Sequence, residues 1–377
     1  MRVVFVSNYF NHHQKPICDE LYRILDKDFI FISTEYMSEE RVKLGYSQSE
    51  LPTYVLSICD DSQKKYVAID MINAADVVII GSAPEELVSQ RVHDKKLIFR
   101  YTERPFKKKA SVLRKMYHAI RFRIRDYGNK NVFILCASSY AYDDFYSIGL
   151  YQNRMFRWGY FPLEIENDVD DLISRKDPNL LVWCGRFIDW KHPDDAIMIA
   201  HRLKNKGYTF HLNMIGTGIM EDELHQLVKK YGLTDYVHFL GAMPPEKVRK
   251  EMEKAGIYLF TSDRQEGWGA VLNESMNSCC AVVANQDIGS VPFLINDGDN
   301  GYTYPSGNLD KLSEKVELLL VSPKEQKRIG RHAYHTIHET WNASIAAERI
   351  VHLSQNLLEE RNNLNLYTVG PCSIISK

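Results

Sequence analysis

The stretch Leu180-Leu181-Val182-Trp183-Cys184-Gly185-Arg186 sits near the middle of this 377-residue chain. Its apolar residues run on without polar alternation, as in a strand covered on both faces inside a parallel sheet. The run stops at a glycine and an arginine, where a strand end gives way to a turn. Further runs of strand length follow at Thr209 to Ile215, Val237 to Leu240, Ile257 to Phe260 and Ala281 to Ala284, each separated by a segment of helix length. The same alternation fills the chain before residue 165. Val3 to Val6 is a β-branched run, the polar turn Ser7 to Pro16 follows, and Ile17, Leu21, Ile24 and Leu25 then recur at helical spacing. Phe29 to Ile32, Thr53 to Ile58, Asp76 to Ile80, Lys96 to Phe99 and Val132 to Ala137 read as strands, with helices expected around Ala68 to Ala74, Pro84 to Val88 and Ser111 to Arg125. Such alternation predicts α/β architecture with doubly wound sheets.

Around residues 165 to 178 the pattern breaks, and the chain carries Glu164, Glu166, Asp168, Asp170, Asp171 and Asp177 with few apolar residues. The expected organisation is a Rossmann-like domain over 1–165, a second over 166–345, and a C-terminal helix and tail over 346–377, the helix packing back on the first domain. Ligands of open α/β sheets bind beyond the carboxyl ends of the strands. Two doubly wound domains facing each other therefore define a central cleft.

Composition narrows the function. At 45% hydrophobic and 25% charged residues the chain is globular. A net charge of −2 gives no global attraction to nucleic acid or to an anionic membrane, so an electrostatic partner needs a local patch. Seven cysteines are present without a C-x-x-C pair, which reads as reduced thiols in a cytoplasmic protein. The opening Met1 to Asn8 reads as a first strand rather than a signal peptide. No run of about 18 apolar residues occurs, the minimum for a spanning helix.

The most specific motif is Glu266-Gly267-Trp268-Gly269-Ala270-Val271-Leu272-Asn273-Glu274, which sets two glutamates eight positions apart after an apolar strand. Glycines let backbone amides approach a ligand, and free amides at a helix start favour oxyanions. A glutamate two turns into the helix, and another in the loop before it, can each accept hydrogen bonds from the hydroxyls of a polar ligand. Gly185-Arg186-Phe187-Ile188-Asp189-Trp190-Lys191 follows the first strand of the second domain. There Arg186 and Lys191 can stabilise charge on a departing phosphate. Met214-Ile215-Gly216-Thr217-Gly218 marks a further tight turn, and Phe239-Leu240-Gly241 and Gly289 to Tyr302 continue the series.

Together these segments resemble the family 4 retaining glycosyltransferases, of the glycosyl transferases group 1 and bacterial polysaccharide-biosynthesis type, over about residues 180 to 345. Their E-x7-E motif matches Glu266 and Glu274, and their G-R-x4-K segment matches Gly185, Arg186 and Lys191. The resemblance implies a GT-B fold and metal-independent sugar transfer from a nucleotide sugar, UDP-, GDP- or another, to a hydroxyl acceptor. It implies Glu266, Arg186 and Lys191 as catalytic residues. Gly185, Gly216, Gly218, Gly267, Trp268, Gly269, Ala270, Val271, Leu272 and Glu274 would bind the donor. No cofactor is implied. The setting implied by the resemblance, together with the basic helix described below, is surface polysaccharide assembly on a lipid-linked saccharide acceptor.

The first domain departs from the family. Its first loop, Asn11-His12-His13-Gln14, has no glycine, and the segment where relatives carry a histidine reads Arg100-Tyr101-Thr102-Glu103-Arg104-Pro105. His12, His13, Glu103 and Arg104 are the acceptor-side candidates by position at strand ends. From Arg104 to Arg125 there are nine Lys or Arg residues and no acid, set around Leu113, Met116, Tyr117, Ile120 and Ile124 at helical spacing. This pattern fits contact with an anionic membrane surface, placing the protein in the cytoplasm or peripherally on the inner face of the cell membrane. The alternative is an apolar stripe packed on its own sheet with solvated charges. Nucleic acid is disfavoured by the near-neutral total. No metal site is expected, since His332, His335 and His338 lack companion ligands in sequence. Two other classes stay open: a non-catalytic nucleotide-sugar-binding protein of the same fold, and a Rossmann oxidoreductase, which would need a G-x-G-x-x-G turn after the first strand.

Overall fold

A computed structural model describes residues 1–37, 50–108, 110–360 and 363–375. The chain forms two compact units, Met1–Leu163 with Trp341–Lys377, and Glu164–Thr340. Lys109, one of the nine basic residues, lies outside the described residues.

The first unit is built on a seven-stranded, all-parallel sheet. Its strands are β1 (Val3–Ser7), β2 (Phe29–Ser33), β3 (Val55–Ser57), β4 (Val77–Ile80), β5 (Ile98–Thr102), β6 (Val132–Cys136) and β7 (Met155–Arg157), in the order β3-β2-β1-β4-β5-β6-β7. β1, β4 and β6 are buried along their whole length, which is why they read as continuous apolar runs. β5 runs past the expected end at Phe99 because Arg100 is neutralised in place. Its guanidinium lies 2.6 Å from Asp126 and 2.9 Å from Glu85, so a charged residue continues a buried strand. β7 escaped the sequence reading, having only three residues. The chain's end pairs along it, with Arg157 donating to the Ser373 carbonyl and Ile375 to that of Met155, both at 2.8 Å. The helix Ala343–Leu358 packs against Lys15–Leu25 in the same unit.

The second unit has six parallel strands, β8 (Asp177–Cys184), β9 (His211–Ile215), β10 (Val237–Gly241), β11 (Ala255–Phe260), β12 (Ala281–Asn285) and β13 (Tyr302–Tyr304), ordered β10-β9-β8-β11-β12-β13. Alternate residues Leu181 and Trp183 of β8, Ile257 and Leu259 of β11, and Ala281 and Val283 of β12 enter one core. That period of two is the pleat of the sheet. The order reverses between β8 and β11, which makes their carboxyl ends the topological switch point where such sheets bind ligands.

The helix Val112–Asp126 corrects one expectation. Ser111 caps it, accepting from the Arg114 amide at 3.3 Å, but its apolar stripe does not pack on the sheet. Leu113, Met116, Tyr117, Ile120 and Ile124 are all exposed, while Ala119 and Phe122 face the core.

Candidate functional site

The site is assembled in the second unit from three strand ends. After β8, the Gly185 amide donates to the Ile215 carbonyl at 3.0 Å, and the Phe187 amide to that of Thr217 at 2.8 Å. The turns after β8 and β9 therefore touch backbone to backbone. Gly216 has φ +139°, and a Cβ there would lie 1.9 Å from the Gly185 carbonyl oxygen. At Gly218 a Cβ would come within 2.4 Å of the Phe187 oxygen. These glycines shape the turn that carries Arg186. Arg186 is exposed and makes no ion pair among the described residues.

Lys191 closes a single 3-10 turn, Asp189–Lys191. Thr261, just past β11, places it: the Thr261 hydroxyl lies 2.8 Å from the carbonyls of both Lys191 and His192, and accepts from the Trp183 indole at 2.8 Å. Lys191 Nζ then lies 2.5 Å from Glu266 Oε2, which also accepts from the Ser262 hydroxyl at 3.0 Å. The two expected catalytic groups thus meet across 75 positions of sequence. Both are largely shielded, at 13% and 12% side-chain exposure.

Glu274 is the fourth residue of the helix Val271–Asn277, one turn in rather than the expected two. The left-handed Gly269, φ +82°, holds the loop open and delays the helix start. Burial pushes the Glu274 carboxyl above its ordinary value, and Arg249 nearby offsets part of that shift. Arg249 is itself buried and donates to Asn277 Oδ1 at 2.6 Å. Arg249 carried no signal in the sequence, since nothing links it to the motif except the fold.

Two of the donor-binding candidates turn their side chains inward. The Trp268 side chain is fully buried, with its indole donating to Asn273 at 2.9 Å and its carbonyl accepting from Ser290 at 2.6 Å. Leu272 is equally buried. Both side chains brace the loop from behind. Gly267 is buried, and Ala270 and Val271 lead directly into the helix.

In the first unit, His12, His13 and Glu103 fall into one cluster. The two imidazoles lie 3.8 Å apart, and His13 stacks with Tyr160 at 6.2 Å. The Tyr160 hydroxyl donates to Glu103 at 2.7 Å, and Lys107 pairs with Glu103 at 2.5 Å. Tyr160 and Lys107 were not singled out from sequence. Arg104 points elsewhere: it is buried against Asp144, at 3.1 and 3.3 Å, with Tyr140 under its guanidinium. A partner 40 residues away is invisible to local pattern.

His332, His335 and His338 each pair with a different carboxylate, Asp299, Glu339 and Glu164. Among the described residues, His192, Asp194 and Asp195 bring ligand atoms within 4.8 Å of one another. Asp195 there is pushed up to about 6 by burial, then by Asp194.

The order of strands and the loops beyond β8 and β11 define a doubly wound, Rossmann-like unit with its candidate site at the topological switch point. Residues 164–336 match the family model described as Glycosyl transferases group 1. The chain is 25% identical over 206 residues to the amylovoran biosynthesis glycosyltransferase AmsK of Erwinia amylovora, covering 53% of this chain and 50% of that protein. It is 23% identical over 186 residues to the putative colanic acid biosynthesis glycosyltransferase WcaL of Escherichia coli, covering 48% and 46%. These matches span about half the length of the relatives. In three dimensions the chain resembles Anabaena HepE, solved in complex with UDP, with a TM-score of 0.69 at 13% identity over 96% of this chain and 99% of that one. The likeness shows a GT-B fold of two Rossmann-like units.

Proposed function

We propose that the protein is a retaining glycosyltransferase of family 4 that transfers a sugar from a nucleoside-diphosphate sugar to a hydroxyl of a saccharide acceptor. The observation that carries this reading is the pairing of Lys191 with Glu266 at 2.5 Å beyond the ends of β8 and β11, in the unit whose same two loops carry Arg186 and lead to Glu274. Glu274 accepts the ribose hydroxyls. Arg186 and Lys191 stabilise the diphosphate as the bond from anomeric carbon to phosphate oxygen breaks. The acceptor hydroxyl attacks from the face the diphosphate leaves, a bond forms from its oxygen to the anomeric carbon, and a phosphate oxygen takes its proton. Glu266 holds Lys191 in place before the donor arrives and accepts a sugar hydroxyl afterwards.

The relatives named for colanic acid and amylovoran biosynthesis support an acceptor in polysaccharide biosynthesis; that this acceptor is lipid-linked and met at the cytoplasmic face of the membrane is part of the proposal. In the first unit, His12, His13 and Glu103 with Tyr160 offer a hydrogen-bonding and stacking surface suited to a sugar ring. Among the described residues no helix is long and apolar enough to cross a membrane. The test is a mass-spectrometric screen of nucleotide sugars with short saccharide acceptors, followed by proton NMR of the product. Release of nucleoside diphosphate and a product of unchanged anomeric configuration are expected. Inverted product rejects retention, and nucleotide binding without turnover of any donor favours a non-catalytic binding protein.

A further inference from the structure

The helix Val112–Asp126 is amphipathic in reverse. Leu113, Met116, Tyr117, Ile120, Ile124 and Tyr127 recur at steps of three and four, so they form one ridge along its length. All six are more than half exposed, Leu113 at 78% and Ile124 at 71%. A contiguous apolar ridge of this size on a surface marks an interaction site.

The inner face explains why the ridge points outward. Phe122 packs on Phe145 at 5.7 Å, His118 meets Phe106 at 5.4 Å, and Arg125 lies 4.6 Å over the Phe122 ring while pairing with Asp126 at 3.2 Å. The helix is thus held in one rotational setting. Of its cations, Arg125 is committed inward, as Arg104 and Lys107 are to Asp144 and Glu103. Arg114, Arg121 and Arg123 remain exposed, and the helical rotation of 100° per residue puts Arg114 and Arg121 on one flank of the ridge and Arg123 on the other.

That arrangement selects the occupant. A second copy of the chain would set like charges against each other, which is repulsive. Nucleic acid would satisfy the arginines but leave the ridge in contact with phosphates and water. An anionic bilayer satisfies both, taking apolar side chains at the acyl boundary and cations at the headgroups. We propose that Val112–Asp126 is a membrane-docking element that lies in the plane of an anionic bilayer, with the ridge inserted and Arg114, Arg121 and Arg123 on the lipid phosphates. This surface is argued from its own geometry and does not depend on the reaction proposed above.

The test uses the full chain and vesicles of one part phosphatidylglycerol to two parts phosphatidylcholine, with UDP binding measured in parallel. Wild type is expected to bind these vesicles and to bind pure phosphatidylcholine far more weakly. Each surface cation contributes about five-fold, so the triple change Arg114→Gln, Arg121→Gln, Arg123→Gln lowers binding about a hundred-fold. Leu113→Ser with Ile120→Ser and Ile124→Ser lowers it at least ten-fold, including at high salt, where the inserted ridge alone remains unscreened. A salt titration of wild type, which needs no variant, should leave residual binding that the serine variant lacks. UDP binding, and GDP binding measured alike, should stay unchanged in both variants; the absence of both in wild type would count against the glycosyltransferase reading alone. The docking proposal is overturned if wild type does not bind anionic vesicles, if either variant binds as well as wild type, or if the ridge instead drives self-association or binding to duplex DNA.

Discussion

Arg186 and Lys191 have the same proposed role but opposite surroundings, so replacing each with alanine should separate catalysis from stability. Arg186 is exposed and without an ion pair among the described residues. Its removal should leave thermal stability unchanged while turnover falls by about 10²–10³-fold, the 2.7–4 kcal/mol typical of a lost oxyanion-stabilising group. Lys191 is different, because it neutralises a shielded Glu266 at 2.5 Å. Among the described residues, Lys191→Ala leaves that carboxylate with the Ser262 hydroxyl, 3.0 Å away. A charged group stripped of its partner costs about 1–3 kcal/mol, or very roughly 2–4 °C of Tm per kcal/mol in a domain of this size. Turnover should fall as it does for Arg186→Ala. Adding Glu266→Gln to Lys191→Ala removes the orphaned charge, so Tm should recover while turnover stays low. Donor-dependent release of nucleoside diphosphate and thermal unfolding are measured for these four proteins and for Glu266→Gln alone, which completes the cycle on the pair. Wild-type turnover in Arg186→Ala would refute the site assignment. A Lys191→Ala protein as stable as wild type would refute the structural role of the pair.

Activity should survive excess EDTA; loss on chelation with rescue by a divalent ion would direct attention to His192, Asp194 and Asp195. Because the Glu274 carboxyl sits above its ordinary value, the ionised form proposed to accept ribose hydroxyls is lost as pH falls through that raised value. Nucleotide affinity measured against pH should therefore weaken at a higher pH than an ordinary glutamate near 4.3 would give, and Glu274→Gln should flatten the profile. Asp195, pushed up to about 6, favours the folded state when protonated, so its stabilisation is complete below the unfolded value and lost as pH rises through about 6. Asp195→Asn should raise Tm at pH 8 by about 2–4 °C, the effect of about 1 kcal/mol, and raise it less at pH 5. Gly216→Ala places a Cβ 1.9 Å from the Gly185 oxygen in a left-handed backbone; calorimetry should show a loss of at least about 2 kcal/mol, and nucleotide binding should fall with it.

The alternation of apolar runs and helix-length segments was enough to read two doubly wound units, because a strand buried on both faces leaves an unbroken apolar stretch. Resemblance to the glycosyltransferase motifs, rather than spacing alone, marked Gly185, Arg186, Lys191, Glu266 and Glu274 as candidates. Spacing missed β7 and β13, three residues each, whose place comes from edge pairing rather than pattern. Contacts between distant positions belonged to the tertiary structure alone: Lys191 on Glu266, Arg249 beneath Glu274's helix, Arg104 turned to Asp144, and Trp268 withdrawn into the core. The basic helix shows the division most clearly. Periodicity reveals which residues share a face, but the direction of that face depends on what the rest of the chain offers to pack against. Here Phe145 and Asp126 take up Phe122 and Arg125, and the ridge from Leu113 to Tyr127 is left outside.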